Sequence, residues 1–174
     1  MAQALNMHVL VSDPLVTITD DGIEQTSFNR VVSTADYVVC LTSAVADTTN
    51  LFGREAFQSM QRHAFFINAS RGERVDEQAL VDALDQGLLA GCALDVGHAQ
   101  EQMPTQVIAA HPKIIANPHI GGLTPQAAEH QAMDTVHQVQ ALLAGRVPEG
   151  VVNLAAASRA VSLFGLNAVA LSRD

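Results

Sequence analysis

Basic residues are scarce in this sequence. Nine Lys and Arg stand against eighteen Asp and Glu, a formal net charge of −9, and no basic run occurs. Phosphate backbones are held by clustered cations, so a nucleic-acid partner is excluded. The acidic balance otherwise favours solubility. Cysteine is scarce too. Cys40 and Cys92 each sit in an apolar run, at a spacing that supports neither a disulfide framework nor a metal site. Both are expected to be small buried hydrophobes. No apolar run approaches the roughly 20 residues of a membrane span, and no basic stretch followed by an apolar one opens the chain. A cytoplasmic protein with no membrane partner is expected. Internal repeats and low-complexity segments are absent as well.

Apolar residues are plentiful, at 48% of 174, enough for one domain with a real core. Apolar runs alternate with helix-like stretches, the pattern of β-α-β units and a parallel sheet. Strands are expected at His8 to Ser12, Ile23 to Thr26, Asp36 to Thr42, Ala64 to Asn68, Ala90 to Val96 and Lys113 to Asn117. The run at Asp36 is β-branched and continuously apolar, as a strand covered on both faces should be. Between the strands lie a short "SFNRVVSTA" helix, a "GREAFQSM" helix and a helix from Asp76 to Gly87, with Asp76 as N-cap and Gly87 as stop. A long helix is expected from Thr124, its N-cap, with Pro125 at the first helical position, to about Leu143. Met1 to Asn6 reads as a last helical turn closed by a left-handed Asn6. The apolar stretch 154–174 has no identifiable partner and is expected to pack on a further domain or to fray, leaving 1–153 as the main domain.

Four polar residues fall at or just beyond the ends of expected strands: Asp13, Arg71, Asp95 and His119. Each has a plain reading when taken alone. Asp13 in "SDP" begins a turn, Arg71 is a surface arginine, Asp95 caps the next element and His119 is a satisfied core histidine. Together they line the edge at which open α/β sheets bind ligands. An acidic residue at the end of such a strand is where a dinucleotide-binding fold holds the adenosine ribose. The Gly121-Gly122 pair beside His119 lets backbone come close to a ligand.

The block "INASRGERVDEQALVDALDQGLLAGCALDV" followed by "ANPHIGGLT" resembles the signature region of the D-isomer-specific 2-hydroxyacid dehydrogenases, over roughly Asn6 to Asn153. The resemblance implies a Rossmann-like, doubly wound α/β fold. It implies hydride transfer between NAD and a D-2-hydroxy or 2-oxo acid, and a homodimer in the full-length form. It assigns catalytic roles to Arg71, Glu101 and His119. Arg71 would grip the substrate carboxylate, and His119 would be the acid/base. A carboxylate, at Glu101, would hold the imidazole. The implied cofactor-contacting positions are Asp13, Thr42, Ala69, Ser70, Arg71, Asp95, His119, Gly121 and Gly122.

Two departures stand out. The partner glutamate usually follows the equivalent of Asp95 by five residues, where this sequence has Gln100; a one-residue insertion would put Glu101 in place, and the alternative is an inactive substitution by Gln100. The stretch "LTSAVADTT" also carries Leu41 and Ser43 where the family has His and Pro. A G-x-G-x-x-G turn is missing altogether. The sheet is therefore expected to lack its first, central strand, and the chain to be a fragment of doubtful activity by itself. A non-catalytic NAD-sensing or interaction module of the same descent is the rival reading. No metal is expected: His98, Glu101 and His119 lack ligand spacing in a supporting context.

Overall fold

The computed structural model describes residues 1–43, 48–151 and 156–164. The chain divides into two compact units, Met1–Gly121 and Gly122–Asp174. In the first, the order is β1 (Val9–Val11), β2 (Ile23–Gln25), α1 (Phe28–Thr34), β3 (Tyr37–Cys40), α2 (Arg54–Ser59), β4 (Phe65–Asn68), α3 (Glu77–Asp85), β5 (Gly91–Leu94), α4 (Gln106–Ala109) and β6 (Ile114–Ala116). The second holds α5 (Pro125–Leu143) and α6 (Ser158–Phe164). The expectations for 152–155 and 165–174 lie outside the described residues. Among the described residues no helix is long and apolar enough to cross a membrane.

All six expected strands form, and every pairing is parallel. They make two sheets rather than one: β1-β2, and β3-β4-β5-β6 in that order. Among the described residues no strand joins β1 to β3, which is where the central strand was expected to be lacking. The helices start where side chains cap them. Ser27 accepts from Arg30 N–H at the head of α1, and Asp76 accepts from Ala79 N–H at 3.0 Å for α3. Thr124 accepts from Ala127 N–H at 3.1 Å ahead of Pro125. These bonds satisfy donors that a helix start leaves unpaired. Asn6 is left-handed at φ 57°, closing a single turn at Ala2–Leu5 that is 3₁₀ rather than α.

The core lies on one face of the larger sheet. Val38, Cys40 and Phe66 point inward, together with Phe57, Leu80, Leu84 and Leu89 from the helical layer. Phe52 packs its ring 4.6 Å from that of Phe66 and 5.3 Å from that of Phe28. Cys40 and Cys92 are free and buried, and burial pushes the Cys92 thiol up from its ordinary value. The expectation of strands covered on both faces is corrected here. β3 alternates exposed and buried residues, with Tyr37 at 51% and Val39 at 49% exposure. Phe65 and Ile115 are exposed as well. The apolar composition of these strands thus reports a second hydrophobic face, which stays open to solvent.

Candidate functional site

Parallel strands deliver their C-terminal ends to one edge, and β4, β5 and β6 are adjacent there. Main-chain bonds continue past the strands: Asp95 N–H donates to Asn68 C=O at 3.0 Å, and Asn117 N–H to Leu94 C=O at 2.8 Å. The residues that follow, 68–72, 95–97 and 117–121, therefore leave the sheet side by side.

The loop after β4 is ordered by Asn68, which is 1% exposed. Its Oδ1 accepts from Ser70 N–H at 3.0 Å and its Nδ2 donates to Arg71 C=O at 2.9 Å. Ser70, also buried, donates its hydroxyl to Thr42 C=O. That bond ties the ends of β3 and β4 together, as does Ala69 N–H to Cys40 C=O at 3.3 Å. Arg71 then projects into solvent, with Nη1 donating to Ser70 C=O at 2.8 Å. The next residue must be glycine: a Cβ on Gly72 would stand 2.1 Å from Gly97 O. This close approach joins the Arg71 loop to the loop after β5.

Asp95 organises the loop after β6. Its Oδ1 accepts from Ile120 N–H at 2.9 Å and its Oδ2 from Gly121 N–H at 3.0 Å. A Cβ on Gly121 would meet Asp95 Oδ2 at 2.8 Å, so the glycine admits the carboxylate. Nothing lies within 4 Å of a Cβ on Gly122. His119, half-buried and left-handed at φ 55°, donates from Nδ1 to Glu101 C=O at 2.8 Å. Glu101 and His119 do come together, but through the main chain. The expected carboxylate contact is replaced because Glu101 is itself left-handed, at φ 57°, in a tight turn. Gln100, the rival position, is exposed on the same turn.

Asp13 belongs to the smaller sheet, two residues past β1. Its Oδ1 accepts from Leu15 N–H at 2.8 Å and Val16 N–H at 3.2 Å. The plain reading of Asp13 as a turn former thus holds, and Oδ2 takes no part in that turn.

Sequence reading missed the residues that brace the site. Gln102 accepts at Oε1 from Gly72 N–H, 3.1 Å, and donates from Nε2 to Glu73 Oε1, 2.8 Å. The Gln102 bond, ahead of Glu73's own backbone N–H, holds the Glu73 carboxyl below its ordinary value. His98 bonds Gly72 C=O at 2.8 Å, while Glu77 accepts from His98 N–H at 3.2 Å and from the Thr105 hydroxyl at 3.1 Å. The one signal for Asn68 was a polar residue ending an otherwise apolar strand. Gln102 gave none.

Residues 1–121 match the family model described as D-isomer specific 2-hydroxyacid dehydrogenase, NAD binding domain. The chain is 31% identical over 155 residues to D-3-phosphoglycerate dehydrogenase 3, chloroplastic, of Arabidopsis thaliana, covering 87% of this chain and 26% of that one. It is 36% identical over 125 residues to glyoxylate/hydroxypyruvate reductase B of Escherichia fergusonii, covering 72% and 39%. Its fold superposes on the NAD-complexed D-isomer specific 2-hydroxyacid dehydrogenase of Lactobacillus delbrueckii ssp. bulgaricus with a TM-score of 0.74 at 26% identity, covering 87% and 50%. The chain thus spans between about a quarter and a half of the proteins it matches.

Proposed function

Because the chain belongs to the D-isomer specific 2-hydroxyacid dehydrogenase family through its NAD binding domain, we propose that it serves hydride exchange between NAD and a D-2-hydroxy acid or its 2-oxo acid. One observation carries the reading. β4, β5 and β6 end on one sheet edge, and the loops that leave it carry an exposed guanidinium at Arg71 and an imidazole, His119, whose Nδ1 is committed to a carbonyl. A carbonyl oxygen only accepts, so Nδ1 bears the hydrogen and Nε2 is left for chemistry.

Arg71 grips the substrate carboxylate with the face of its fork that is not turned to Ser70 C=O, and its charge polarises the adjoining carbonyl. His119, protonated, donates from Nε2 to the carbonyl oxygen during reduction; neutral, it takes the hydroxyl proton during oxidation. Glu101 acts on the imidazole through its carbonyl. NAD, when bound, supplies or accepts the hydride.

The donor chemistry suits the two ends of that cofactor. Asp13 Oδ2 is an acceptor for ribose hydroxyls. Thr42, Ala69, Ser70 and Gly121 offer backbone around the nicotinamide, and Asp95 shapes the backbone at Ile120 and Gly121 while keeping lone pairs for the carboxamide. The middle of the cofactor lacks support, since the sequence has no G-x-G-x-x-G. We also propose that the active form is a homodimer in the cytoplasm; the buried free thiols suit a reducing compartment. A non-catalytic NAD-sensing role has one observation in its favour: among the described residues, the bond at His119 Nδ1 goes to a carbonyl and not to a carboxylate. Assaying NADH oxidation against a panel of 2-oxo acids separates the two. Turnover that Arg71→Lys and His119→Ala both depress supports the enzyme; NADH binding with no turnover on any 2-oxo acid supports the sensor.

A further inference from the structure

The turn Gln100–Gln102 holds two consecutive non-glycine residues in the left-handed region, Glu101 at φ 57° and Gln102 at φ 63°. Such a backbone costs free energy and persists only where its surroundings over-determine it. Main-chain bonds close the turn: Gly97 N–H to Gln102 C=O at 2.7 Å and Ala99 N–H to Met103 C=O at 2.9 Å. These attach it to its own loop. Gly72 meets Gly97, and His98 bonds Gly72 C=O, where the loop leaves β5; at the turn itself the attachment to the neighbouring loop is the Gln102 side chain, which bridges Gly72 N–H and the Glu73 carboxylate. The same turn aims Glu101 C=O at His119 Nδ1.

We infer that Gln102 is a positioning residue for His119: its amide clamps the turn whose Glu101 carbonyl fixes the imidazole in the Nδ1–H tautomer. An amide suits the task because it donates to the carboxylate and accepts from the N–H at once. A glutamate there would accept only and face Glu73, and a shorter side chain would fail to span both partners. Two features beside Gln102 then acquire a purpose. Glu73 anchors the clamp, and the glycine at position 72 leaves its N–H within reach of the amide. This tautomer draws on the Glu101 carbonyl and not on its carboxylate. The clamp's catalytic consequence rests on the reading of His119 as acid/base; the tautomer itself does not.

The test is long-range ¹H–¹⁵N correlation on the full chain at about pH 8, where an ordinary imidazole of pKa about 6.5 is neutral. His119 is assigned by the peaks lost in His119→Gln. The parent should show the Nδ1–H pattern at His119, and Glu101→Gln should keep it. Gln102→Asn preserves the amide and a left-handed backbone that Asn tolerates, yet is one methylene too short to bridge. It should move His119 to the Nε2–H-dominated pattern of an untethered imidazole, with the other assigned imidazoles unchanged. Should Gln102→Asn disturb the fold, Gln102→Gly, which relieves the backbone strain, should give the same loss of Nδ1–H. An Nε2–H pattern in the parent, or retention of Nδ1–H in the folded Gln102 variant, overturns the inference. The measurement needs neither NAD nor substrate. A chain that shows the tautomer shift but no hydride transfer therefore refutes the proposed reaction and not the clamp.

Discussion

The two sheets of this chain are both built from short parallel strands, yet they are held very differently. In β3–β6, alternate residues disappear into a shared core with α1, α2 and α3, and Phe57, Phe66, Leu80 and Leu84 are wholly buried. In β1–β2 no strand residue is fully buried. That pair is fastened by polar contacts such as Arg30 to Glu24, 3.2 Å, and the Gln25 amide to Asp13 and Val16 carbonyls. A hydrophobic core resists perturbation because it removes apolar area from water; exposed polar contacts contribute little. The proposed chemistry stands on the well-packed half, and the proposed ribose contact, Asp13, on the loosely packed one.

The largest effect that tests this contrast is catalytic. In a form completed with a glycine-rich strand and turn ahead of β1, His119→Ala should lower kcat by about 10²–10⁴-fold. Asp13→Ala should act mainly on cofactor affinity. Steady-state kinetics with both variants decide it, and a kcat collapse in Asp13→Ala would erase the division of labour. Next comes stability. Phe66→Ala should cost about 3–5 kcal/mol, against about 1 kcal/mol for Leu10→Ala in β1. Urea unfolding reads both, and equal losses would mean that the smaller sheet is packed better than its exposure indicates.

Cofactor binding sharpens the same comparison. The chain as it stands should bind NADH weakly or not at all, because nothing in the sequence supplies a glycine-rich cradle for the pyrophosphate. It should also self-associate, because open strand edges invite pairing. Titration calorimetry and size-exclusion chromatography test both points; a monomer with micromolar NADH affinity contradicts them. In the completed form Asp13→Ala should narrow the preference for NAD over NADP by at least about tenfold, since a hydrogen bond to a charged group is worth about 1.5–3 kcal/mol and about 1.4 kcal/mol is tenfold. An unchanged cofactor ratio in kcat/KM would remove Asp13 from the site.

The smallest effect is a pH dependence. Hydrogen bonding depresses the Glu73 carboxyl in the folded state, so its contribution to stability is complete above the unfolded value of about 4.3. It falls away as pH drops through the lower, folded value. Glu73→Gln should flatten that acid limb of the unfolding curve slightly. A limb of unchanged slope means that the Gln102–Glu73 bond carries no stability.

The six strands, the caps at Asp76 and Thr124 and the left-handed Asn6 were legible in the sequence because each follows from local chemistry. Alternating apolar runs make strands, side-chain oxygens pair orphan N–H groups, and Asn tolerates positive φ. The placing of Arg71, Asp95 and His119 just past β4, β5 and β6 was legible through topology, since parallel strands deliver their C-terminal ends to one edge. The covering of both sheet faces was misjudged, because apolar composition records what a face prefers and not whether anything occupies it. The partner of His119 was anticipated as residue 101 but as the wrong atom of it. Whether a glutamate offers its carboxylate or its carbonyl depends on backbone angles set by distant bonds.

By itself, then, the sequence determined the order and type of the elements and which polar residues follow the strand ends, because these depend on periodicity and on neighbours along the chain. Only the tertiary structure decided how the site is braced. Gly72 meets Gly97, Gln102 spans Gly72 and Glu73, and Asn68 ties Ser70 to Arg71. Most of these contacts join residues far apart in the chain through single bonds of fixed direction, and no pattern of hydrophobicity or spacing encodes where a lone hydrogen bond will point.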